Sequence, residues 1–487
     1  MPLMTSEQYV KSIRRMERNI YYMGEKLENP VDHPVLRPSM NCLIDTYDMA
    51  FMPEYEDLMT STSLITGNKI NRFNNIHKSI EDLNKKVKLQ RLMGQRTGSC
   101  FQRCVIMDAA NAFYATTYDI DQKHGTEYFE RFKKFMVRVQ DEDLIVGGAL
   151  TDPKADRSKG PRGQDDPDIY LRVVERRADG VVVNGAKAHL TGITNSHEVI
   201  VLPTMAMRPG DEDYTIAFAI PLDAPGITMI VGRQSCDTRK MENTTIDVGN
   251  ACYGGMEALT IFDHVFVPNE RIFMDGETDF SGLLVDRFAG YHRNSYGGCK
   301  TGVGDAVIGC ACLNAQYNGI EKASHVKDKL IEMTQLNEQL YCAGIASSCE
   351  GYKTAAGNYM VNLLLANVCK LNVTRYPYEI IRLAEDITGG IMVTAPSEAD
   401  LKNEDVGHYI EKYLVGAGVN AEDRIRALRL MENFSLGTAA VAYRTESMHG
   451  AGSPQAQKIN IGRLAGFEGK KALAKRLAGI TDTNEDD

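Results

Sequence analysis

The chain has 487 residues, too many for one small core and enough for two or three domains. Its 43% hydrophobic and 25% charged content is ordinary for a soluble globular protein. A net charge of −10 argues against a nucleic-acid or anionic-membrane partner, while leaving room for a local basic pocket. The 11 cysteines, an odd number scattered over a long chain, fit a reducing compartment and read as ligands or buried apolar groups, not disulfides.

The N-terminal stretch has no apolar signal-peptide core, and no apolar run approaches the ~20 residues that span a bilayer, so a cytoplasmic location is expected. Thr5 followed by Gln8 reads as a capping box opening a helix. Residues 1–145 read as an N-terminal helical domain, broken early by Pro30, Pro34 and Pro38. The run from Gln102 to Tyr118 is rich in helix formers, which puts Cys100 and Cys104 at a helix start. Residues 146–275 change to short β-type runs between turn signals, a central β-domain. Ala178-Asp179-Gly180 between two Val-rich runs predicts a hairpin. Residues 276–487 return to long amphipathic stretches, from Ser324 to Tyr352 and from Ala355 to Ile387, a C-terminal helical bundle. The acidic tail at 481–487 is expected to fray. The fold class is therefore α+β, mainly α.

Two short runs carry metal-ligand chemistry. Ser99–Cys104 (SCFQRC) holds Cys100 and Cys104, four apart and so on one face if helical. Tyr291–Cys299 (YHRNSYGGC) holds His292 and Cys299, with Gly297-Gly298 expected to turn the backbone so that both face one ion. Three thiols and an imidazole suit an iron–sulfur cluster or zinc, although the spacing is not that of a zinc finger or ribbon. An imidazole is a weaker donor than a thiolate, so its metal corner is more easily freed for substrate. Cys42, Cys236, Cys252, Cys310, Cys312, Cys342, Cys349 and Cys369 read as core packing. Gly302 and Gly304 follow no strand, so they read as close helix packing and not as a dinucleotide fingerprint. Glu257 and Glu446 lie in apolar surroundings. Burial would raise their pKa and suit them to proton transfer, and an ion pair with Lys or Arg is the alternative. Tyr296 could reach the substrate side of a metal, or be an ordinary helix-end tyrosine.

The run Leu259–Phe273 (LTIFDHVFVPNERIF) resembles the end of the β-domain in acyl-CoA dehydrogenases, and the helix–β–helix order matches that fold. Within that superfamily the whole chain resembles the 4-hydroxybutyryl-CoA dehydratases, in the group shared with 4-hydroxyphenylacetate 3-monooxygenases. The specific runs are SCFQRC, AGYHRNSYGGCK, RQSCDTRKM, NEQLYCAGIA and YRTESMHGAGSPQAQ. The resemblance implies a hydro-lyase that converts 4-hydroxybutyryl-CoA to crotonyl-CoA, with an accompanying vinylacetyl-CoA isomerisation. It implies FAD, an acyl-CoA thioester substrate, a homotetramer, and a [4Fe-4S] cluster on Cys100, Cys104, Cys299 and His292. The implied chemistry is a flavin-radical elimination that starts with loss of the C2 proton, with the cluster as Lewis acid on the C4 hydroxyl. His292 would be both ligand and base. Glu446 and Tyr296 are the next candidates for proton handling, and Lys300, Glu257 and Gln102 would tune the site. Flavin contacts are expected at 147–157, with Ala149, Thr151, Asp152 and Arg157, and at 188–197, with His189, Thr191 and Asn195. Thr151 and Thr191 are expected to bond the flavin ring. Gly389 and Gly390 resemble a paired-glycine segment that approaches a neighbouring subunit's flavin. The rival readings are a flavin-dependent aromatic monooxygenase of the same fold, a plain acyl-CoA dehydrogenase, and a non-catalytic zinc protein.

Overall fold

Thr5 opens the chain's first helix as expected. The Gln8 N–H donates to the Thr5 hydroxyl at 3.2 Å, and the Thr5 N–H donates to Gln8 Oε1 at 2.9 Å. A computed structural model describes residues 3–480, so the acidic tail at 481–487 lies outside the described residues. The first part supplies α1 (Ser6–Arg14), α2 (Arg37–Asp48), α3 (Glu56–Met59), α4 (Ile80–Thr97), α5 (Cys104–His124) and α6 (Tyr128–Asp141). It also supplies β1 (Asn19–Tyr22), β2 (Glu25–Lys26) and a small hairpin of β3 (Thr60–Thr62) and β4 (Lys69–Asn71). β1 and β2 were not legible as strands. They find their partner only in the third dimension, where β1 runs parallel to a strand some two hundred residues later.

The central part supplies β5 (Val146–Ala149), β6 (Arg172–Arg176), β7 (Gly180–Thr191), β8 (Glu198–Val201), β9 (Ile216–Pro221), β10 (Ile227–Val231), β11 (Glu257–Pro268) and β12 (Ile272–Asp275). These form a six-stranded sheet in the order β2-β1-β10-β11-β7-β6 and a four-stranded sheet in the order β12-β9-β8-β5. The predicted hairpin joins β6 to β7, and Arg177 N–H closes it on Gly180 O at 2.8 Å. The register of β7 against β11 sets Thr191 directly opposite Glu257.

The last part is mainly helical: α7 (Thr278–Tyr317), α8 (Ser324–Cys349), α9 (Leu363–Val373), α10 (Tyr376–Thr388), a 15-residue helix at Ala421–Ser435 and several shorter ones. α7 has 40 residues, roughly 60 Å at 1.5 Å per residue, and it is the axis of the bundle. Gly297 and Gly298 do not turn the backbone as expected, because α7 runs through them unbroken. They serve close helix contact instead. A Cβ at Gly297 would stand 2.6 Å from Gly344 Cα on α8, and one at Gly298 would collide with the Val87 carbonyl on α4. Gly302 and Gly304 do the same work, as their sequence context suggested.

One apolar cluster runs from α5 and α6 through Phe113 and Phe132, then Phe273 and Phe218 of the four-stranded sheet, to Phe262 of the six-stranded one, and a second fills the C-terminal bundle through Val307, Ile380, Leu428 and Met431. Of the cysteines read as core packing, Cys42, Cys310 and Cys369 are buried. Cys252, Cys312, Cys342 and Cys349 are exposed and Cys236 is half-buried, the last three exposed ones lying on outward faces of α7 and α8. Among the described residues no helix is long and apolar enough to cross a membrane.

Candidate active site

Cys100 and Cys104 do not share a helical face. Cys104 is the first residue of α5, and Cys100 lies in the loop before it. Gln102 between them takes a φ of 66°, the left-handed region, which bends the loop back. Its side chain secures that bend: Ser39 Oγ donates to Gln102 Oε1 at 2.8 Å, and Gln102 Nε2 donates to Cys100 O at 3.3 Å. The fully buried Arg103 anchors the loop from beneath through Asp143 and the Tyr47 ring. His292 and Cys299 are seven apart on α7, about two turns, and so face the same side. Cys104 packs in an apolar cluster with Phe101, Met93 and Met107, against which Cys299 also lies.

The Cys100 thiol feels the charges of both Cys104 and Cys299, and the Cys104 thiol feels that of Cys299. Burial pushes the Cys100 and Cys104 thiols well above the ordinary value and the Cys299 thiol up to about 11. All three are free of disulfides. Among the described residues no three His, Cys, Asp or Glu side chains are arranged to hold a single metal ion.

A fully buried carboxylate that the sequence reading missed, Asp108, organises the imidazole. His292 Nδ1 lies 2.7 Å from Asp108 Oδ2, Lys86 Nζ lies 2.5 Å from Asp108 Oδ1, and Ser295 Oγ donates to both oxygens at 3.0 Å. Lys86 also donates to Tyr291 O at 2.7 Å. Burial alone would raise the Asp108 carboxyl, but Lys86 and His292 overcome it and hold it below the ordinary value. An ionised Asp108 accepts the proton on Nδ1 and leaves the Nε2 lone pair to act as ligand or base. The ring is held by Phe288, stacked at 5.5 Å, and by Tyr296, edge-on at 5.1 Å. Asp108 had one legible signal: it sits one helical turn after Cys104. Lys86 had none.

A second group of polar side chains adjoins the thiols. Lys300 Nζ donates to Glu446 Oε2 at 2.8 Å and to the Ala442 carbonyl, and it lies 4.8 Å from the Tyr296 ring centroid. The Thr191 hydroxyl reaches Glu257 at 2.7 Å and Glu446 at 3.4 Å, so it can donate to either carboxylate. Burial first, and then Glu446, push the Glu257 carboxyl well above its ordinary value. Glu446 therefore takes the ion-pair alternative and Glu257 the proton-holding one. Burial pushes the Tyr296 hydroxyl well up, with Glu446 and Cys299 adding to it.

The expected flavin contacts divide. Thr191 and Asn195 adjoin the site. Asn195 Nδ2 donates to Ser39 Oγ at 2.9 Å and so joins the Gln102 network. Thr191 is committed to the carboxylates. Asp152 is an internal strut, accepting from Lys187 Nζ at 2.9 Å and Leu171 N–H at 3.0 Å. Ala149 is buried at the end of β5, and the Thr151 carbonyl accepts from Ala188 N–H at 2.7 Å. Arg157 and His189 are exposed, His189 with a φ of 62°. Gly389 and Gly390 are exposed at the end of α10, with open space where a Cβ would stand.

The chain matches the family described as 4-hydroxyphenylacetate 3-hydroxylase, its N-terminal part over residues 5–274 and its C-terminal part over residues 281–479. It is 61% identical over 488 aligned positions to a 4-hydroxybutyryl-CoA dehydratase/vinylacetyl-CoA-Delta-isomerase of Clostridium aminobutyricum, covering 98% of this chain and 100% of that one. Its structure is similar to that of an oxygen-tolerant archaeal 4-hydroxybutyryl-CoA dehydratase from N. maritimus, with a TM-score of 0.97 at 54% identity over 99% of this chain and 96% of that one. The oxygenase component of 4-hydroxyphenylacetate 3-monooxygenase complexed with FAD has the same fold, with a TM-score of 0.85 at 24% identity over 97% of this chain and 98% of that one.

Proposed function

The chain belongs to the 4-hydroxyphenylacetate 3-hydroxylase family, and we propose that within it this protein dehydrates 4-hydroxybutyryl-CoA to crotonyl-CoA and also isomerises vinylacetyl-CoA. The observation that carries the reading is the gathering of three unbridged thiols, Cys104 buried and Cys100 and Cys299 half-buried, and a His292 imidazole whose Nδ1 is taken by Asp108, beside the Glu446–Lys300 pair. Full-length identity of 61% to a dehydratase favours this over the aromatic monooxygenase.

FAD and a [4Fe-4S] cluster are the groups the reading requires. Cys100, Cys104, Cys299 and His292 Nε2 would hold the cluster. The donor set fits: the thiols are unbridged, and their raised pKa is what a nearby cationic iron would reverse. Each of the four residues would supply one donor to the cluster. The flavin would lie against Ala149, Thr151 and Thr191, within reach of Asp152, Arg157, His189 and Asn195. Gly389 and Gly390 would face the flavin of a neighbouring subunit in a homotetramer. When bound, the flavin supplies one-electron exchange with the acyl group and the cluster supplies a Lewis acid for the C4 hydroxyl.

The chain's own residues then divide the proton work. His292 Nε2, whose weaker donation would leave it displaceable from the cluster, takes the C2 proton once free, and Asp108 stabilises the imidazolium that forms. Glu446, fixed by Lys300, receives the C3 proton. Glu257, kept protonated by burial, delivers a proton to the departing hydroxyl; His292 returns its proton to C4, which becomes the product's methyl group, and the proton on Glu446 restores Glu257, with the Thr191 hydroxyl swinging its donation between the two carboxylates. Tyr296 closes the pocket over His292 and excludes water. Domains at 1–145, 146–275 and 276–487 and a cytoplasmic location complete the reading.

An anaerobic absorption spectrum with iron, sulfide and flavin quantified tests it. The expected result is one cluster and one flavin per chain, with crotonyl-CoA formed without an external electron acceptor. A yellow, iron-free protein that needs reduced flavin and oxygen would favour the monooxygenase instead.

A further inference from the structure

The segment that carries Glu446 is irregular. Residues Val441–Thr445 form a π-helical turn, Glu446–His449 a single α-turn, and Ala451 and Gly452 take φ of 53° and 96°. Such departures leave backbone carbonyls without their usual helical partners. Three buried cations from other elements meet them. Lys300 of α7 donates to the Ala442 carbonyl, Lys370 of α9 to the Ser447 carbonyl at 2.5 Å, and Arg293 of α7 to the Ala451 carbonyl at 3.0 Å. Arg293 is tied across to α9 through Asn367 Oδ1 at 2.9 Å.

Two of these cations have further duties. Lys300 pairs with Glu446, and Arg293 joins α7 to α9. Lys370 is different. Among the described residues no carboxylate forms an ion pair with it. Its ammonium, buried inside the protein, has the Ser447 carbonyl and the Tyr296 ring, 4.9 Å from its centroid. A buried ammonium without a counter-ion is costly, and an apolar side chain would fill the same space without that cost. Burial, with Lys300 and Arg293 nearby, lowers this lysine to about 7, and its donor is spent on one backbone oxygen, in the residue next to Glu446.

We infer that Lys370 is a positioning residue for the reaction: by pinning the Ser447 carbonyl and bracketing Tyr296 together with Lys300, it sets where the Glu446 carboxylate stands against Thr191 and Glu257. The inference rests on the proton-handling role proposed for Glu446. Lys370 touches the Ser447 carbonyl and the Tyr296 ring, and no reacting atom. It acts through the turn, so its loss moves Glu446 by a fraction of a bond length and leaves the acyl-CoA contacts in place.

The test compares Lys370→Met, Lys370→Arg and Glu446→Gln as holoenzymes, with flavin, iron and sulfide quantified in each. In Lys370→Met, kcat for 4-hydroxybutyryl-CoA is expected to fall about 10- to 100-fold with KM within about threefold, as displacement of a catalytic group without loss of substrate binding requires. Amide deuterium exchange is expected to rise in peptides spanning 441–452 and nowhere else. Lys370→Arg, which keeps the charge and a donor, is expected to recover most of kcat. Lys370→Gln replaces Lys370→Met if the latter does not hold its cofactors, with the same pattern expected. Wild-type kcat in Lys370→Met alongside an inactive Glu446→Gln overturns the clamp alone. Loss of kcat with exchange raised throughout the bundle, or with no recovery in Lys370→Arg, also overturns it. An active Glu446→Gln removes the reading beneath it.

Discussion

Asp108 makes hydrogen bonds or ion pairs with three side chains at once, and substitutions there separate its two duties. Asp108→Asn is expected to cut activity about 10- to 100-fold by loosening the imidazole, and to lower Tm because Lys86 is left buried without an anion. Adding Lys86→Met should restore Tm and not turnover, which thermal melts and a rate assay distinguish. His292→Cys is expected to keep iron and sulfide and lose turnover, since a thiolate can bind iron but cannot take the imidazole's place at C2. Full activity in that variant would sink the base role. Residue identity was the most legible level of this molecule. Thiols, imidazole and the two glutamates were visible as chemistry in the sequence, whereas Lys86, Lys370 and Arg293 were not, because a lysine or arginine becomes informative only when burial removes its solvent.

At the scale of elements, glycines decide how closely α4, α7 and α8 approach. A Cβ at Gly94 would stand 2.7 Å from Cys299 O, against backbone that cannot swing aside. Gly94→Ala is therefore expected to cost about 1–3 kcal/mol and to push Cys299 away from Cys104, read as a lower Tm and poorer iron retention. The long helices, the β6–β7 hairpin and the α1 cap were legible because each is specified by local spacing and turn chemistry. The Gly297-Gly298 pair misled for the same reason: glycine signals both turns and close packing, and only the neighbouring helix tells them apart. β1 and β2 escaped notice because four and two residues give no period, and their partner strand lies far along the chain.

At the scale of the whole molecule, acid stability follows from two buried histidines. Burial lowers the His77 and His197 rings to about 3. Between that value and the ordinary 6.5 the unfolded chain binds more protons than the folded one, so stability rises with pH through this window and is lost as pH falls through it. Tm is expected to drop on acidification from pH 7 to pH ~4.5. His197 has reason to be there, since its Nδ1 accepts from Ile145 N–H at 3.0 Å. Among the described residues neither ring nitrogen of His77 has a hydrogen-bond partner, so His77→Phe should raise Tm and flatten the acid limb, a result calorimetry reads directly.

Six of the groups invoked above, His292, Arg293, Ser295, Tyr296, Cys299 and Lys300, ride on the single rod of α7 within nine residues. Their mutual spacing is thus a matter of screw pitch. Inserting one residue at 297 would rotate everything beyond it by about 100° relative to everything before. The protein could keep its sheets, its bundle and its colour of flavin, and yet never again hold ring nitrogen and sulfur on the same side of the shaft.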